Sequence, residues 1–362
     1  MNIKKFRVIS FPLVVYLIWY LIILIYQLLL QPIYGISQYS QTIYQRLFFS
    51  WINYWDSAHY ISISQNGYVI PQQAFFPLWP LLIKLTTFVL KDPYFATFIL
   101  SFILGLSTFI LLFLLAQKLI GRYAKVALIL FACFPSTMFL HAGYTEGLFL
   151  SLILFGCLLL EGKKYVLAAT LIGLATATRF AGVAAALVFL FIGRSKREKL
   201  FYILIALSGL IGYIIYSYFN FGDGLLFIHG QQAWCQSQGR CSFYFPLVSI
   251  FAYLKSLFIG NVKPGLSVNF IDWFFASIFL ILLIAVYKKL PKKYFIYSLV
   301  VICLPLFSSL VGMVRYVLIA FPVFFVIPLI IKNKYILFLI CLFLVLLQLR
   351  FITLFSNKVW VA

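Results

Sequence analysis

The sequence predicts an all-α polytopic membrane protein, a bundle of about 11 transmembrane helices with amphipathic helices in its outer loops. Three observations predict it. Of 362 residues, 65% are hydrophobic and 10% charged, with a mean hydropathy of +1.08. A soluble domain of this length cannot hide so much apolar surface. The apolar stretches lack the short alternating strands of a membrane barrel. Lys and Arg fall in short clusters between those stretches, the pattern of positive-inside topology. The formal charge of +21 follows from that placement and from only seven acidic residues. No basic groove interleaved with aromatics marks a nucleic-acid partner.

The first element is the apolar run 11–30 behind MNIKKFR. Its length of about 20 residues spans a bilayer. QPIYG is a poor cleavage site, so this reads as an uncleaved helix with a cytoplasmic N-terminus. Basic clusters follow around Lys118, Arg122 and Lys125, at Lys163 and Lys164, from Arg194 to Lys199, from Lys288 to Lys293, and at Lys332 and Lys334. Placing all of them in the cytoplasm sets the later spans at 94–117, 124–141, 147–160, 165–178, 181–193, 201–218, 273–287, 294–310, 316–331 and 335–349. The stretch 165–193 is too long for one span and short for two. Two short helices meeting near Arg179 resolve this, since broken helices are tolerated where they line a protein cavity. Counting 75–90 as a full span would invert every later cluster. It reads instead as a membrane-dipping outer helix, with Pro77 and Pro80 in its first turns and Lys84 and Lys91 snorkelling toward headgroups.

The loops 31–90 and 220–272 then face outward, and residues 1–362 form one domain without internal repeats. Asp56, Asp92, Glu146, Asp223 and Asp272 lie outside, with His59, His141 and His229. Glu161 and Glu198 read as solvated partners of basic cytoplasmic turns. Cys133, Cys157, Cys303 and Cys341 sit in apolar runs as packing residues. Cys235 and Cys241 share a polar outer loop in which a disulfide is one of two open readings.

The tract WDSAHY, from Trp55 to Tyr60, carries the clearest chemistry. A carboxylate beside lipid is costly, so a chain this poor in acids keeps each for a reason. Asp56 is the candidate general base. The competing structural reading is an N-cap on a helix that Asn66 and Gly67 end. His59 shares the helix face of Asp56 at i+3, positioned to orient the carboxylate, contact a lipid phosphate or join a metal site; the alternative is an interfacial histidine hydrogen-bonded to backbone. Glu146 is a second candidate acid at the start of a span, where the helix dipole alone also favours it. His141, one turn earlier, reads as interfacial. Arg179 and Arg315, each where a hinge or span end meets the outer leaflet, are candidate phosphate-binding cations, with Lys84 a weaker third. A buried arginine requires an interior partner. Trp55, Tyr60, Tyr144, Gln232 and Trp234 are candidate substrate contacts, the aromatic rings as platforms for a sugar face.

WDSAHY, the Gly67–Tyr68 pair and FFPLWPLL together resemble the first outer loop of the second mannosyltransferase of GPI-anchor assembly, the PIG-V-like family with prokaryotic members. YTEGLF from Tyr144, ATRFAG around Arg179, QQAW from Gln231 and GMVRYVLIAFP around Arg315 are similar to later tracts of that family in the same order. The chain departs from the family pattern at Phe180 and Ala181, where a small residue and asparagine are common, and at Gly147, which replaces serine. The resemblance implies a GT-C glycosyltransferase fold and a polyprenyl- or dolichyl-phosphate sugar donor. The reaction it implies is inverting transfer of a sugar, mannose by the resemblance, to a lipid- or glycan-linked acceptor at the outer face of a prokaryotic plasma membrane. Such transfer needs a carboxylate to take the acceptor proton and cations to hold the leaving phosphate. No cofactor is required for it, and a divalent cation at the carboxylates is the open alternative; no zinc signature is present. The rival reading is a lipid or lipid-linked sugar flippase, whose ionisable residues belong near the bilayer midplane on repeated, broken helices.

Overall fold

The computed structural model of the chain describes residues 3–34, 51–237, 266–307 and 310–361, with positions 248, 250, 251 and 254. Among them every regular element is helical: α1 (Ile3–Tyr34), α2 (Trp55–Asn66), α3 (Leu78–Leu90), α4 (Pro93–Ile120), α5 (Ala124–Cys133), α6 (Glu146–Glu161), α7 (Tyr165–Thr176), α8 (Val183–Ala186), α9 (Lys196–Phe221), α10 (Leu226–Ser237), α11 (Leu266–Lys289), α12 (Lys292–Leu306), α13 (Met313–Ile319), α14 (Pro322–Ile330) and α15 (Lys334–Ser356). Five stretches are long and apolar enough to cross a membrane: Ile9–Leu30, Pro93–Cys133, Lys196–Phe221, Phe270–Lys289 and Lys334–Ser356. α13 and α14 make a sixth candidate, bent by 80°. The other predicted spans are helical but shorter, with 16 residues in α6, 12 in α7 and 15 in α12.

The long helices are apolar on both sides, and burial tells the sides apart. On α1, Tyr16, Tyr20, Ile23 and Leu30 pack inward, while Ile18, Leu21, Ile25 and Leu29 are each more than half exposed. α15 exposes Phe338, Leu339 and Leu346 in the same way. Such faces are stable against lipid, where apolar surface carries no hydration penalty. Inside, small residues and hydroxyls join the helices. Thr108 on α4 donates to the Gly147 carbonyl of α6 at 3.2 Å, and Thr176 on α7 donates to the Ala206 carbonyl of α9 at 3.2 Å. A Cβ at Gly209 would lie 2.1 Å from the Gly173 carbonyl oxygen, so α7 and α9 cross backbone to backbone.

Helix ends follow their local chemistry. Asp92 accepts from the Tyr94 and Phe95 amides, with Pro93 at the first position of α4. Ser195 and Glu198 close a capping box on α9. The basic segments gather at one end of the bundle: Lys332 lies 4.0 Å from the Tyr123 ring, Lys125 5.2 Å from the Phe11 ring and Arg194 5.1 Å from the Tyr165 ring. One expectation changes here. Glu198 is exposed beside Arg194 as expected, but Glu161 is mostly buried, 2.6 Å from Lys293 Nζ and accepting from the Tyr294 hydroxyl at 2.8 Å.

At the opposite end, the predicted outer helix α3 docks onto the bundle. The Leu78 amide donates to the Ala177 carbonyl at 3.0 Å, and the Tyr213 hydroxyl donates to the Gln73 carbonyl at 2.8 Å. Leu81, Leu85, Phe88 and Val89 stay exposed along one face of α3, as a helix seated in the membrane surface requires.

Candidate functional site

Four of the predicted residues form one chain of ion pairs at the α3 end of the bundle. Arg315 Nη1 donates to Asp56 Oδ2 at 2.9 Å. The same guanidinium reaches Glu146 Oε1 through Nε at 3.0 Å and Nη2 at 2.9 Å. Arg179 Nη1 donates to that oxygen at 2.5 Å. The run Asp56–Arg315–Glu146–Arg179 is formally neutral. Burial is graded along it: the Glu146 side chain is 0% exposed, each arginine 12% and Asp56 28%. The interior partner that each arginine requires is therefore a carboxylate. Aromatic rings cover the cations as well, with Arg315 4.6 Å from the Tyr144 ring and 4.9 Å from the Phe139 ring.

Each member sits at a break in a helix. α2 starts at Trp55 behind an extended Tyr54, so Asp56 lies inside the first turn and makes no N-cap. That structural reading fails; the end at Gly67, with φ +79°, is as expected. Glu146 opens α6, where the dipole and the two guanidiniums act together. Arg179 is extended between α7 and the 3₁₀ turn Phe180–Gly182, at the predicted hinge. The second half of that hinge is mainly 3₁₀, with only Val183–Ala186 in α-helix. Arg315 lies in the first turn of α13, after Gly312 at φ +78°.

Gly143 ties these pieces together. Its φ is +74°, and an added Cβ would lie 2.5 Å from Ser57 Oγ and 2.9 Å from Thr97 Cγ2. Only glycine satisfies both the left-handed backbone and that contact. Its carbonyl accepts from Trp79 Nε1 at 2.9 Å, and Trp79 is fully buried. The loop before Glu146 is thereby braced against α2, α3 and α4 at once. Sequence reasoning missed this brace, although a tryptophan between two prolines in PLWP was its visible signal.

The remaining candidates divide. Tyr60 is buried with its hydroxyl against Thr145, and Tyr144 is buried under Arg315. Among the described residues His59 does not join this run of ion pairs. It stacks on Phe75 at 5.0 Å between ring centroids, with Nδ1 3.4 Å from Gln72 Nε2. Burial pushes its imidazole below the ordinary 6.5, against the pull of the Asp56 charge. Trp55 is partly buried against the hydrophobic core. Lys84 is exposed on α3 and makes no ion pair among the described residues. Gln232 is exposed on α10; the Trp234 side chain and Cys241 lie outside the described residues.

Two expectations are corrected. His141 is not interfacial but 2% exposed, enclosed by Tyr20 and Trp51 at 4.9 and 5.5 Å between ring centroids. Asp272 does not sit in an outer loop. It is fully buried within α11, accepting from the Gly312 amide at 3.0 Å and the Val314 amide at 2.8 Å. As for a divalent cation, no group of three or more His, Cys, Asp or Glu side chains is close enough to hold one among the described residues. A guanidinium lies between the Asp56 and Glu146 carboxylates, so these two do not face one shared ion.

Comparison with known proteins supports the family resemblance. A family model described as mannosyltransferase (PIG-V) matches residues 3–284. GPI mannosyltransferase 2 of Schizosaccharomyces pombe is 32% identical over 151 residues, which are 40% of this chain and 32% of that protein. The match thus spans about a third of the curated relative's length. Among solved structures, the archaeal oligosaccharyltransferase AglB from Archaeoglobus fulgidus, in complex with an inhibitory peptide and a dolichol-phosphate, superposes with a TM-score of 0.47 at 13% identity, covering 99% of this chain and 56% of that one.

Proposed function

Because the chain belongs to the PIG-V mannosyltransferase family, we propose that it moves mannose with inversion from a polyprenyl-phosphate donor to a lipid- or glycan-linked acceptor. The carrying observation is the graded ion-pair chain, in which one accessible carboxylate is backed by two buried guanidiniums. Asp56 is the base. Its Oδ2 is held by Arg315, and Oδ1 carries no hydrogen bond among the described residues. Oδ1 takes the acceptor hydroxyl proton as that oxygen bonds to the anomeric carbon. The bond between the anomeric carbon and the phosphate oxygen breaks on the opposite face, and its electron pair leaves on the polyprenyl phosphate.

Arg179 is the better-placed phosphate ligand. A guanidinium has five N–H donors, and Arg179 gives one to Glu146. Its remaining donors and charge suit a leaving group whose negative charge grows in the transition state. Arg315 joins the base to Glu146 and so sets where base and phosphate ligand stand relative to each other. Tyr60, Tyr144 and Trp55 wall the acceptor side. The basic segments at the far end of the bundle support a cytoplasmic placement for that end and an extracytoplasmic site. In a prokaryotic plasma membrane the N-terminus would then be cytoplasmic.

The test incubates purified protein with synthetic polyprenyl-phosphate mannose and a membrane-lipid extract, following lipid-phosphate release and product mass. Wild type should release phosphate and yield a product heavier by one hexose, in the presence or absence of EDTA, while folded Asp56→Asn should not. Absence of turnover with mannose, glucose and arabinose donors would overturn the reading.

A further inference from the structure

Asp272 is a buried carboxylate that the transfer chemistry does not use. It is fully enclosed, and no basic side chain pairs with it among the described residues. A carboxylate in the apolar interior of a membrane helix is costly without compensation. Its compensation is two backbone amides, Gly312 and Val314, on the turn that leads into Arg315. The Gly312 carbonyl in turn accepts from the Arg315 amide at 2.9 Å. From the other side, the fully buried Ser136 hydroxyl donates to the Val314 carbonyl at 2.7 Å. Gly312 and Val314, three and one positions before Arg315, are thus held from α11 by Asp272, and Val314 is also held from the turn Pro135–Leu140 by Ser136.

We infer that Asp272, with Ser136, is a positioning residue that aims the Arg315 guanidinium at Asp56 and Glu146. This rests on the glycosyl-transfer reading of the site. α13 has seven residues and an N-cap glycine without a side chain, so its own sequence supplies no cap. The grip comes from neighbouring elements and falls where Arg315 leaves the backbone. Arg315 touches both carboxylates within 3.0 Å. A tilt of this turn would move base and anchor apart together.

The experiment is a double-mutant cycle on the full-length protein in detergent. Asp272→Asn keeps the shape but opposes an amide donor to one of the two N–H groups; Ser136→Ala removes the second grip with a smaller change. Each should lower kcat by about 10- to 100-fold, the loss expected of a misplacement near 1 Å, with donor KM within about threefold. In an Arg315→Ala background, read in single turnover at excess enzyme, the same substitutions should cost less than about twofold, because they act through Arg315. Equal losses in both backgrounds, or no loss in wild type, would overturn the inference. If Asp272→Asn does not accumulate folded, Ser136→Ala carries the same measurement. Should wild type itself transfer no sugar, the functional reading fails, and the cycle is read in thermal unfolding instead. A fall in Tm at least halved in the Arg315→Ala background supports the coupling; an equal fall refutes it.

Discussion

Helix α6 carries a glutamate at each end, and the two have different surroundings. Glu161 closes the helix, where the dipole disfavours a negative charge. One lysine and one tyrosine hydroxyl answer it, and its side chain keeps 17% exposure. Glu146 opens the helix, where the dipole already favours it, yet it is fully enclosed and holds two arginines on one oxygen. Its other oxygen, Oε2, is buried without a hydrogen-bond partner among the described residues. Glu161 has the charge balance of a structural pair. The Glu146 end carries two guanidiniums on one carboxylate and shares one of them, Arg315, with the accessible Asp56, which leaves the run of four formally neutral.

The comparison breaks hardest at the base. Asp56→Asn should lower kcat by about 10³-fold, within the range for removing general base catalysis, while Glu161→Gln leaves kcat within about twofold of wild type. Comparable losses from both would erase the distinction between the two ends. Stability gives the next effect. Glu146→Gln removes the charge that Arg179 pairs with and one of the two that Arg315 pairs with, and should destabilise by about 3–5 kcal/mol, the cost of breaking a buried pair from one side. Thermal unfolding in detergent checks it, and Glu161→Gln should cost visibly less. Gly143→Ala tests the brace under Glu146. Its Cβ would press on Ser57 from a left-handed backbone, so we expect a loss of about 1–3 kcal/mol and a fall in activity in proportion to the displaced loop. An unchanged Tm would show that the loop has slack. The smallest effect is at the basic end: Arg194→Ala removes an exposed pair at 3.5 Å. It should leave Tm and kcat unchanged within error at physiological salt, where such pairs are screened.

Much of this molecule was legible before folding. Hydropathy and basic clusters announced the membrane helices and the gathering of Lys and Arg at one end. Prolines and the sign of the basic clusters made 75–90 a membrane-dipping outer helix rather than a span, and Leu78–Leu90 is a short helix with one apolar face exposed. Arg179 at a helix break, and Asp56, Glu146 and Arg315 as candidates worth following, were readable because charges are few in an apolar chain, and the structure joins the four in one run of ion pairs. Other features were opaque. Asp272 sits at the edge of an apolar run, which reads equally as loop or helix, so its burial was invisible. His141 occupies a turn whose covering aromatics, Tyr20 and Trp51, come from distant segments. That Lys84 is exposed on α3 was opaque too, because sequence does not say which side of a short apolar helix faces the bundle.

The sequence by itself determined the solvent, the helices and the short set of ionisable residues, because hydropathy, charge and helix signals are local or additive along the chain. Only the tertiary structure decided that one guanidinium serves both carboxylates. Arg315 lies 259 positions from Asp56 and 169 from Glu146. Their meeting depends on the bend between α13 and α14, the Gly143 loop and the grip of Asp272 and Ser136. Hydrogen-bond geometry acts over about 3 Å in space, and no pattern along the chain encodes a distance of that kind.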